Sequence, residues 1–560
     1  FGFTATELAR QKVSSQRYLQ QALAEKDTSP SAPLAEEFIR NFMNDEPLPG
    51  IVAEQRMAQQ LMPGITLEEV NRLAASWLPE RNRVVVVNAP ERAGVAVPTE
   101  ATLASALASV GVRALTAYVD RVNTAPLLDP LPSPGRIVST TTDDALGLTE
   151  WRLSNGARVV LKPTTFKADE ILFRAVSPGG TSLATDADYV AAATAEDVVE
   201  EGGLGRLSLT DLDKALSTKN VAVQSDIGST EEGLAGGAAR GDLETMFQLI
   251  HLRFTAPRAD ATAFQVLTSN LKRMLASQEA EPDTVFERAV ASALTGDHPR
   301  PRPLTPAMVD QMNLERSLAF YKDRFADAGD FTFVFVGSFD LATMRPFVER
   351  YLASLPTRGR REAARDVGIR TPATVVRREV TKGVEPRSQV RVVFSGTFEN
   401  TNANRLLIET MAATLSGNLH RTLREDEGGT YGVSVAPTFG FQPVQEYRVS
   451  IEFGCDPARV DGLVADMWRV ISAFKDSGPS RGQIADGRLA ASRELETNLQ
   501  QNGYWLNRVT QALARDEDVA TAIDPRRLYD GITVDTVREA ARKYLDETRY
   551  VQVILRPERQ

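Results

Sequence analysis

The chain has one cysteine, Cys455, in 560 residues, so no disulfide can form within it. That leaves the compartment open, because many exported proteins also lack disulfides. Histidine is almost as scarce: His251, His298 and His420 are the whole supply, and they lie far apart. A helical zinc-hydrolase motif needs two imidazoles one turn apart on one face, with a carboxylate as base. Neither His-x-x-Glu-His nor His-Glu-x-x-His occurs, and a site drawn from all three scattered histidines is the one zinc arrangement left. There is no excess of basic charge. The net charge is −10 and the pI is near 5.2, which speaks against a nucleic-acid binder and gives no reason to expect an anionic membrane surface as partner. No apolar run is long enough to cross a bilayer. No signal peptide is present, and the chain opens at Phe1-Gly2-Phe3-Thr4, without a methionine, directly before a helical pattern. The expectation is a fragment whose N-terminus, with any targeting signal, lies further upstream.

What is present is a globular composition, 42% hydrophobic and 25% charged, in a chain too long for one core. An internal repeat orders it. Ile65-Thr66-Leu67-Glu68 begins a helical pattern running to Trp77-Leu78, followed by the strand pattern Val84–Val87 and by Pro90-Glu91. Near the C-terminus the sequence recurs without a gap: Ile532-Thr533-Val534-Asp535, a helix to Tyr544-Leu545, the strand Val551–Leu555, and Pro557-Glu558. A third copy runs from Met312-Asn313-Leu314-Glu315 through Arg324-Phe325 to the strand Phe331–Val336. In each, a Thr or Asn precedes acidic residues of the first turn, a helix N-cap signal. Repeats this long imply duplicated domains.

The first copy has too little chain before it for a whole domain, so residues 1–95 read as the C-terminal part of a truncated one. Residues 96–145, Ala-rich and then punctuated by Pro126, Pro130, Pro132 and Pro134, read as a linker. A new domain is expected over 146–357. It opens with the hairpin Trp151–Leu153, Asn155-Gly156 and Val159–Leu161, with Asn-Gly as a type I′ turn. Strand Ile171–Ala175 and helices Tyr189–Glu200, Thr210–Leu216 and Leu341–Leu355 follow. Residues 358–370 form a charged linker. A last domain is expected over 371–560, with strand Gln389–Phe394 and helix Asn404–Arg424. Helices and strands mixed in both orders predict an α+β fold, each domain a mostly antiparallel sheet with helices packed on one face.

The most informative stretch is Leu423-Arg424-Glu425-Asp426-Glu427-Gly428-Gly429-Thr430-Tyr431. Leu407, Met411, Leu415, Leu419 and Leu423 recur every four residues as one apolar stripe. Gly428-Gly429 fit a helix stop. Tyr431, Val433 and Val435 then alternate with Gly432 and Ser434 at strand period. An arginine closing a helix and a tyrosine opening a strand can aim a cation and a phenol at one point. Each also has a plain reading: Arg424 as a cation favoured at a helix C-terminus, Tyr431 as a core aromatic on the Val433 face. Among the remaining candidates, His251 reads as a core or strand residue, His298 as solvated, and His420 as facing solvent or Arg424. Glu196-Asp197 and Glu200-Glu201 read as a solvated helical face. Gly233–Gly241 resembles a phosphate loop but lacks its Gly-Lys-Ser/Thr ending.

Together these pieces resemble the pitrilysin/insulinase family of zinc metallopeptidases, which includes the mitochondrial processing peptidases. The resemblance covers nearly the whole chain. It rests on the Trp151–Leu161 hairpin with Leu-Ser-Asn-Gly, on Ser177-Pro178-Gly179-Gly180-Thr181-Ser182, and on Phe320-Tyr321 through Phe333–Asp340 to Leu355-Pro356. It rests also on the arginine–tyrosine signature in Leu423–Tyr431. It implies four homologous α+β domains, two per half, forming a clamshell. The family's first half carries His-x-x-Glu-His on its first helix; here the corresponding helix, Tyr189–Gly203, has no histidine. The resemblance is therefore to the non-catalytic C-terminal half, inactive alone. It implies that zinc belongs to the missing N-terminal half, the chain's expected partner besides a peptide substrate, and that Arg424 and Tyr431 bind the substrate carbonyl opposite the metal. It favours a periplasmic location, as for bacterial members. The alternative is a non-catalytic peptide-binding or scaffold subunit of a processing-peptidase-like complex.

Overall fold

The computed structural model describes residues 1–77, 81–89, 94–111, 113–121, 123, 125–279, 281–426 and 428–558; Ala74, Ala75, Glu425, Asp426 and Tyr431 are described by their backbone only. The chain divides into two compact units: residues 1–125 with 213–220, and residues 126–212 with 221–560.

The first unit carries the helices Ala5–Ala24, Ser31–Asn44, Ile51–Leu61, Leu67–Trp77 and Glu100–Val110. The Thr66 signal is real: Glu69 N donates to Thr66 Oγ1 at 3.2 Å, and Thr66 N donates to Glu69 Oε2 at 2.7 Å, a reciprocal capping box. The strand expected at Val84–Val87 does not form. A strand needs a neighbour to take its N–H and C=O groups, and among the described residues this unit has none; Val84 and Val86 lie exposed. Leu78 and Pro90-Glu91 lie outside the described residues. Leu34, Phe38 and Phe42, four apart on the Ser31–Asn44 helix, form an apolar stripe that is also exposed.

The second unit contains two sheets. The first is built from β1 (Ile137–Asp143), β2 (Leu148–Leu153), β3 (Arg158–Pro163), β4 (Ile171–Pro178), β5 (Val221–Ile227), β6 (Glu231–Ala238) and β7 (Thr332–Gly337), in the order β1-β2-β3-β7-β4-β6-β5. The second is built from β8 (Val376–Thr381), β9 (Ser388–Thr397), β10 (Thr430–Gly440), β11 (Glu446–Cys455) and β12 (Tyr550–Arg556), in the order β10-β11-β9-β12-β8. Leaving aside the β1–β2 extension, the two orders are the same. In each sheet the last strand inserts between the first and second, parallel to the first, and the third strand lies at the far edge. All other pairs are antiparallel. The duplication and the α+β class read from the sequence are thus borne out. The repeat's N-caps recur as well, Asn313 accepting from Arg316 N at 2.9 Å and Thr533 from Thr536 N at 3.1 Å.

The strand patterns Thr332–Gly337 and Tyr550–Arg556 are apolar at nearly every position, and the packing explains why. Phe333 and Phe335 face the helix Leu243–Thr255, where Phe335 stacks between Phe173 and Phe247 at 5.6 and 5.3 Å. Val334 and Val336 face the other way, onto Trp505, Leu506 and Val509. These sit on the helix Asn502–Ala514, which comes from the second sheet's part of the chain. The second sheet returns the contact. Tyr550 and Ile554 join the core under the helices Asn402–His420 and Val460–Ser477, whereas Val551, Val553 and Leu555 pack on Phe286, Val290 and Ala293. Those belong to the helix Pro282–Leu294, which precedes β7 in the first sheet's part. Each sheet keeps its own helices on one face and receives one from its twin on the other.

Three sequence expectations change. The hairpin after Leu153 is not a type I′ turn, because Gly156 (φ 92) has a positive φ and Asn155 does not. Gly156 N donates to Leu153 O and Leu153 N to Ala157 O, the three-residue loop with a glycine bulge; Asn155 instead turns Nδ2 inward onto the carbonyls of Leu352 and Leu355. The linker expected over 96–145 ends sooner, since β1 starts at Ile137. The charged segment 358–370 is strapped to the first sheet's part. Arg360 bonds Asp323, Glu362 bonds Arg324, the Glu362 N–H reaches Asp330, and Arg365 bonds the carbonyls of Ser182 and Ala184.

Candidate functional site

The helix Asn402–His420 starts at the Thr401 cap and runs into a π-helical turn, Arg421–Asp426. Met411, Leu415, Leu419 and Leu423 are fully buried, with Leu407 packed partly against them, so the expected stripe holds to its end. Arg424, one residue past the last buried leucine, is exposed. Its Nη1 donates to His420 Nε2 at 3.1 Å, which orients the guanidinium along the helix surface. The stop is a glycine cap with two nested bonds, each spanning one residue more than in a Schellman motif: Gly428, at φ 57, donates to Arg424 O at 3.0 Å, and Gly429 donates to Leu423 O at 3.1 Å. Glu427 lies outside the described residues.

β10 follows at once and is an edge strand. Thr430 is buried and donates Oγ1 to Gly454 O at 2.6 Å, pinning the start of the strand to β11. The register runs Thr430↔Cys455 and then Val433↔Phe453, so β10 carries a bulge over Tyr431 and Gly432. A bulge breaks strict alternation and re-aims the residue it contains. The Tyr431 side chain is outside what the structure describes; its backbone is joined to Arg424 by the short cap-and-turn just given.

The three histidines lie on separate elements, each with its own partner. His251 is buried on the Leu243–Thr255 helix, a helical core residue, with Nδ1 3.0 Å from Tyr351 O; burial pushes its pKa down. His298, expected to be solvated, is half-buried and donates Nε2 to Val367 O at 3.1 Å. His420 pairs with Arg424. Among the described residues no group of three or more His, Cys, Asp or Glu side chains is placed to hold a metal ion. The described residues do not fit a zinc centre.

Of two other candidates, one stays set aside and one is corrected. Gly233–Gly241 is no phosphate loop: most of it is β6, squeezed between neighbours so closely that a Cβ at Gly236 would lie 2.0 Å from Ala222 O. Glu196 and Glu200 are not a solvated face. The helix expected over Tyr189–Glu200 breaks at Thr194, whose Oγ1 bonds back to Val190 O, and the second piece, Ala195–Gly202, lies against β5. Glu196 accepts from Ile227 N at 3.1 Å and Glu200 from Ser225 Oγ at 2.7 Å. Burial pushes the Glu196 carboxyl up to about 7. Burial also pushes Glu232 up to about 8, although Gly180 N bonds it and the Arg324 guanidinium lies 3.7 Å away. The sequence signal for such roles was present as acidic residues at i, i+4 beside apolar ones, but that pattern is shared with exposed helices.

Comparison with known proteins points one way. Residues 311–489 match the family model for the peptidase M16 inactive domain. Along its whole length the chain is 23% identical to a zinc protease PQQL-like protein of Arabidopsis thaliana, of which it covers 59%. It is 24% identical to the probable zinc protease PqqL of Escherichia coli over 99% of the chain and 60% of that protein. The crystal structure of the periplasmic protease PqqL from Escherichia coli superimposes with a TM-score of 0.70 at 21% identity, over 99% of this chain and 61% of that one. The ferredoxin protease FusC, in complex with Arabidopsis ferredoxin, does so at 0.72 and 19%, over 100% and 62%. The chain therefore spans about three-fifths of the length of the relatives it matches. No helix among the described residues is long and apolar enough to cross a membrane.

Proposed function

For a chain that carries a peptidase M16 inactive domain, we propose the role of the substrate-binding, non-catalytic half of a zinc-dependent metalloendopeptidase. Residues 1–95 would be the end of one family domain, 146–357 a second without the zinc motif, and 371–560 a third carrying the arginine–tyrosine pair. Zinc would belong to the part of the longer relatives that this chain lacks, and the two halves would enclose a peptide between them. A periplasmic location fits the relative so described.

The observation that carries this reading is the exposed guanidinium of Arg424, fixed by a capped π-turn one short loop from the start of an edge strand. When a peptide bond is attacked, negative charge grows on its carbonyl oxygen. Arg424 would donate an N–H to that oxygen and Tyr431 its hydroxyl. Donors held in place before the charge appears need no reorganisation, and losing one costs on the order of 10²–10³ in turnover. Bringing them from a separate half ties chemistry to closure.

The test supplies the missing half in trans and follows cleavage of a fluorogenic peptide. Activity should need both parts, and Tyr431→Phe should lower kcat by about 10² with little change in stability. Unchanged turnover in that variant would reject the assignment of Tyr431. Absence of cleavage with retained peptide binding would favour the scaffold reading.

A further inference from the structure

β5 and β10 are topological twins, the third strand of each sheet and its far edge. An edge strand presents unpaired N–H and C=O groups that any extended chain can join, and proteins must manage that exposure. The two twins differ in how their outer groups are used. Along Val433–Phe439 of β10, among the described residues, no side chain hydrogen-bonds to the backbone. On β5 three outward groups, on three successive outward residues, are taken by side chains. Val223 O accepts from Arg253 Nη2 at 3.0 Å, Ser225 N donates to Glu200 Oε1 at 3.3 Å, and Ile227 N donates to Glu196 Oε2 at 3.1 Å. Residues 223, 225 and 227 alternate at the strand period, so these three bonds follow the spacing at which a neighbouring strand would bond. The polarity also matches, with a donor meeting the carbonyl and acceptors meeting the amides.

Two of the three side chains, Glu200 and Arg253, brace each other. Arg253, 6% exposed at its side chain, pairs with Glu200 at 2.6 Å, and Ser225 Oγ adds a second bond to the same carboxylate. They reach β5 from two helices, Ala195–Gly202 and Leu243–Thr255, both packed on the sheet's own helical face.

We propose that Glu196, Glu200 and Arg253 act as a side-chain substitute for a missing strand and close the β5 edge against strand addition by extended peptides. The chain then offers an incoming peptide one of its two equivalent edges, β10, and withholds the other. The closure does not depend on the peptidase reading, because it concerns only which backbone groups are free.

Hydrogen exchange on the intact 560-residue chain tests it first. The Ser225 and Ile227 amides should exchange at least about tenfold more slowly than the outward amides of β10, since a bonded amide must open before it exchanges. Equal rates would overturn the proposal without any variant. The second arm uses the double substitution Glu196→Ala, Glu200→Ala, with Glu196→Gln, Glu200→Gln as the control that keeps an acceptor oxygen at each site. A fluorescein-labelled peptide of alternating Thr and Val is titrated and its anisotropy read. The alanine variant should bind at least about tenfold more tightly than the parent, with renewed protection of the 225 and 227 amides; the glutamine variant should match the parent. A folded alanine variant that binds no better than the parent overturns the proposal. So does one whose added binding leaves those amides unprotected.

Discussion

Phe286→Ala tests whether the two sheets of the second unit share one stability. Phe286 sits on a helix that belongs, by sequence, with the first sheet, yet its ring is completely buried against Val551, Val553 and Leu555 of the second. Truncation removes the ring's transfer energy and leaves a cavity between a helix and a sheet, two surfaces that cannot easily collapse together. For a fully buried phenylalanine that costs about 3–5 kcal/mol. The Arg391 guanidinium lies 5.3 Å from the ring centroid and is held there by Glu287 and Glu452. That cation–π contact adds about 0.5–2 kcal/mol to the loss, depending on how dry the site is. Urea unfolding followed by far-UV circular dichroism and by tryptophan fluorescence supplies the assay. Trp505 reports the reciprocal contact on the first sheet, and Trp468, edge-on to Phe394, reports the second sheet's own core. The expected result is one transition for both probes in the parent, shifted as a whole in the variant. A loss below about 1 kcal/mol would refute the packing argument. Two separated transitions, with only the second sheet affected, would refute the shared stability.

Two further outcomes follow from other features. Glu232 has a folded pKa near 8 against an ordinary value of 4.5. Between those values the folded state keeps a proton that the unfolded state has lost, so its contribution to stability falls as pH rises from about 4.5 to about 8. Glu232→Gln should flatten that slope in denaturation series at pH 5, 6.5 and 8; equal slopes would count against the burial of this carboxyl. Gly180 has φ 58, and a Cβ there would lie 2.4 Å from Gly228 O, whereas Gly462 on the Val460–Ser477 helix has open space around it. Gly180→Ala should lower thermal stability by on the order of 2–3 kcal/mol. Gly462→Ala should leave it unchanged or raise it by about 0.5 kcal/mol, and the reverse ranking would reject the loop geometry.

Much of this fold was legible in the sequence where a signal is local. The repeated Thr or Asn before an acidic turn marked three helix starts, and all three cap as read. The apolar strands around Phe333 and Val553 were readable as buried, but not why both their faces are apolar, because the covering helices come from distant sequence. β6 was missed for the opposite reason: its glycines serve close contact between strands and mimic a loop composition. Val84–Val87 has strand composition and no strand, since pairing depends on a neighbour. At the candidate site, Arg424 and the glycine stop were visible. The π-turn and the bulge were not, because each inserts one residue into a regular period and leaves composition unchanged.

The buried leucines before Arg424 also set its direction. Residues four apart on an α-helix advance by about 40° of rotation at each step, so Met411 and Leu423 would differ by about 120° in a regular helix. A stripe repeating strictly by fours should therefore drift off the core before reaching Leu423. The wider π-turn takes up that drift and keeps Leu423 inside. With Leu423 anchored, Arg424 points wherever one residue of rotation carries it. The aim of the guanidinium is thus an angular phase, fixed by counting residues from the core. Any family member that gained or lost a residue between Leu419 and Leu423 would keep the arginine in its sequence and lose it from its position.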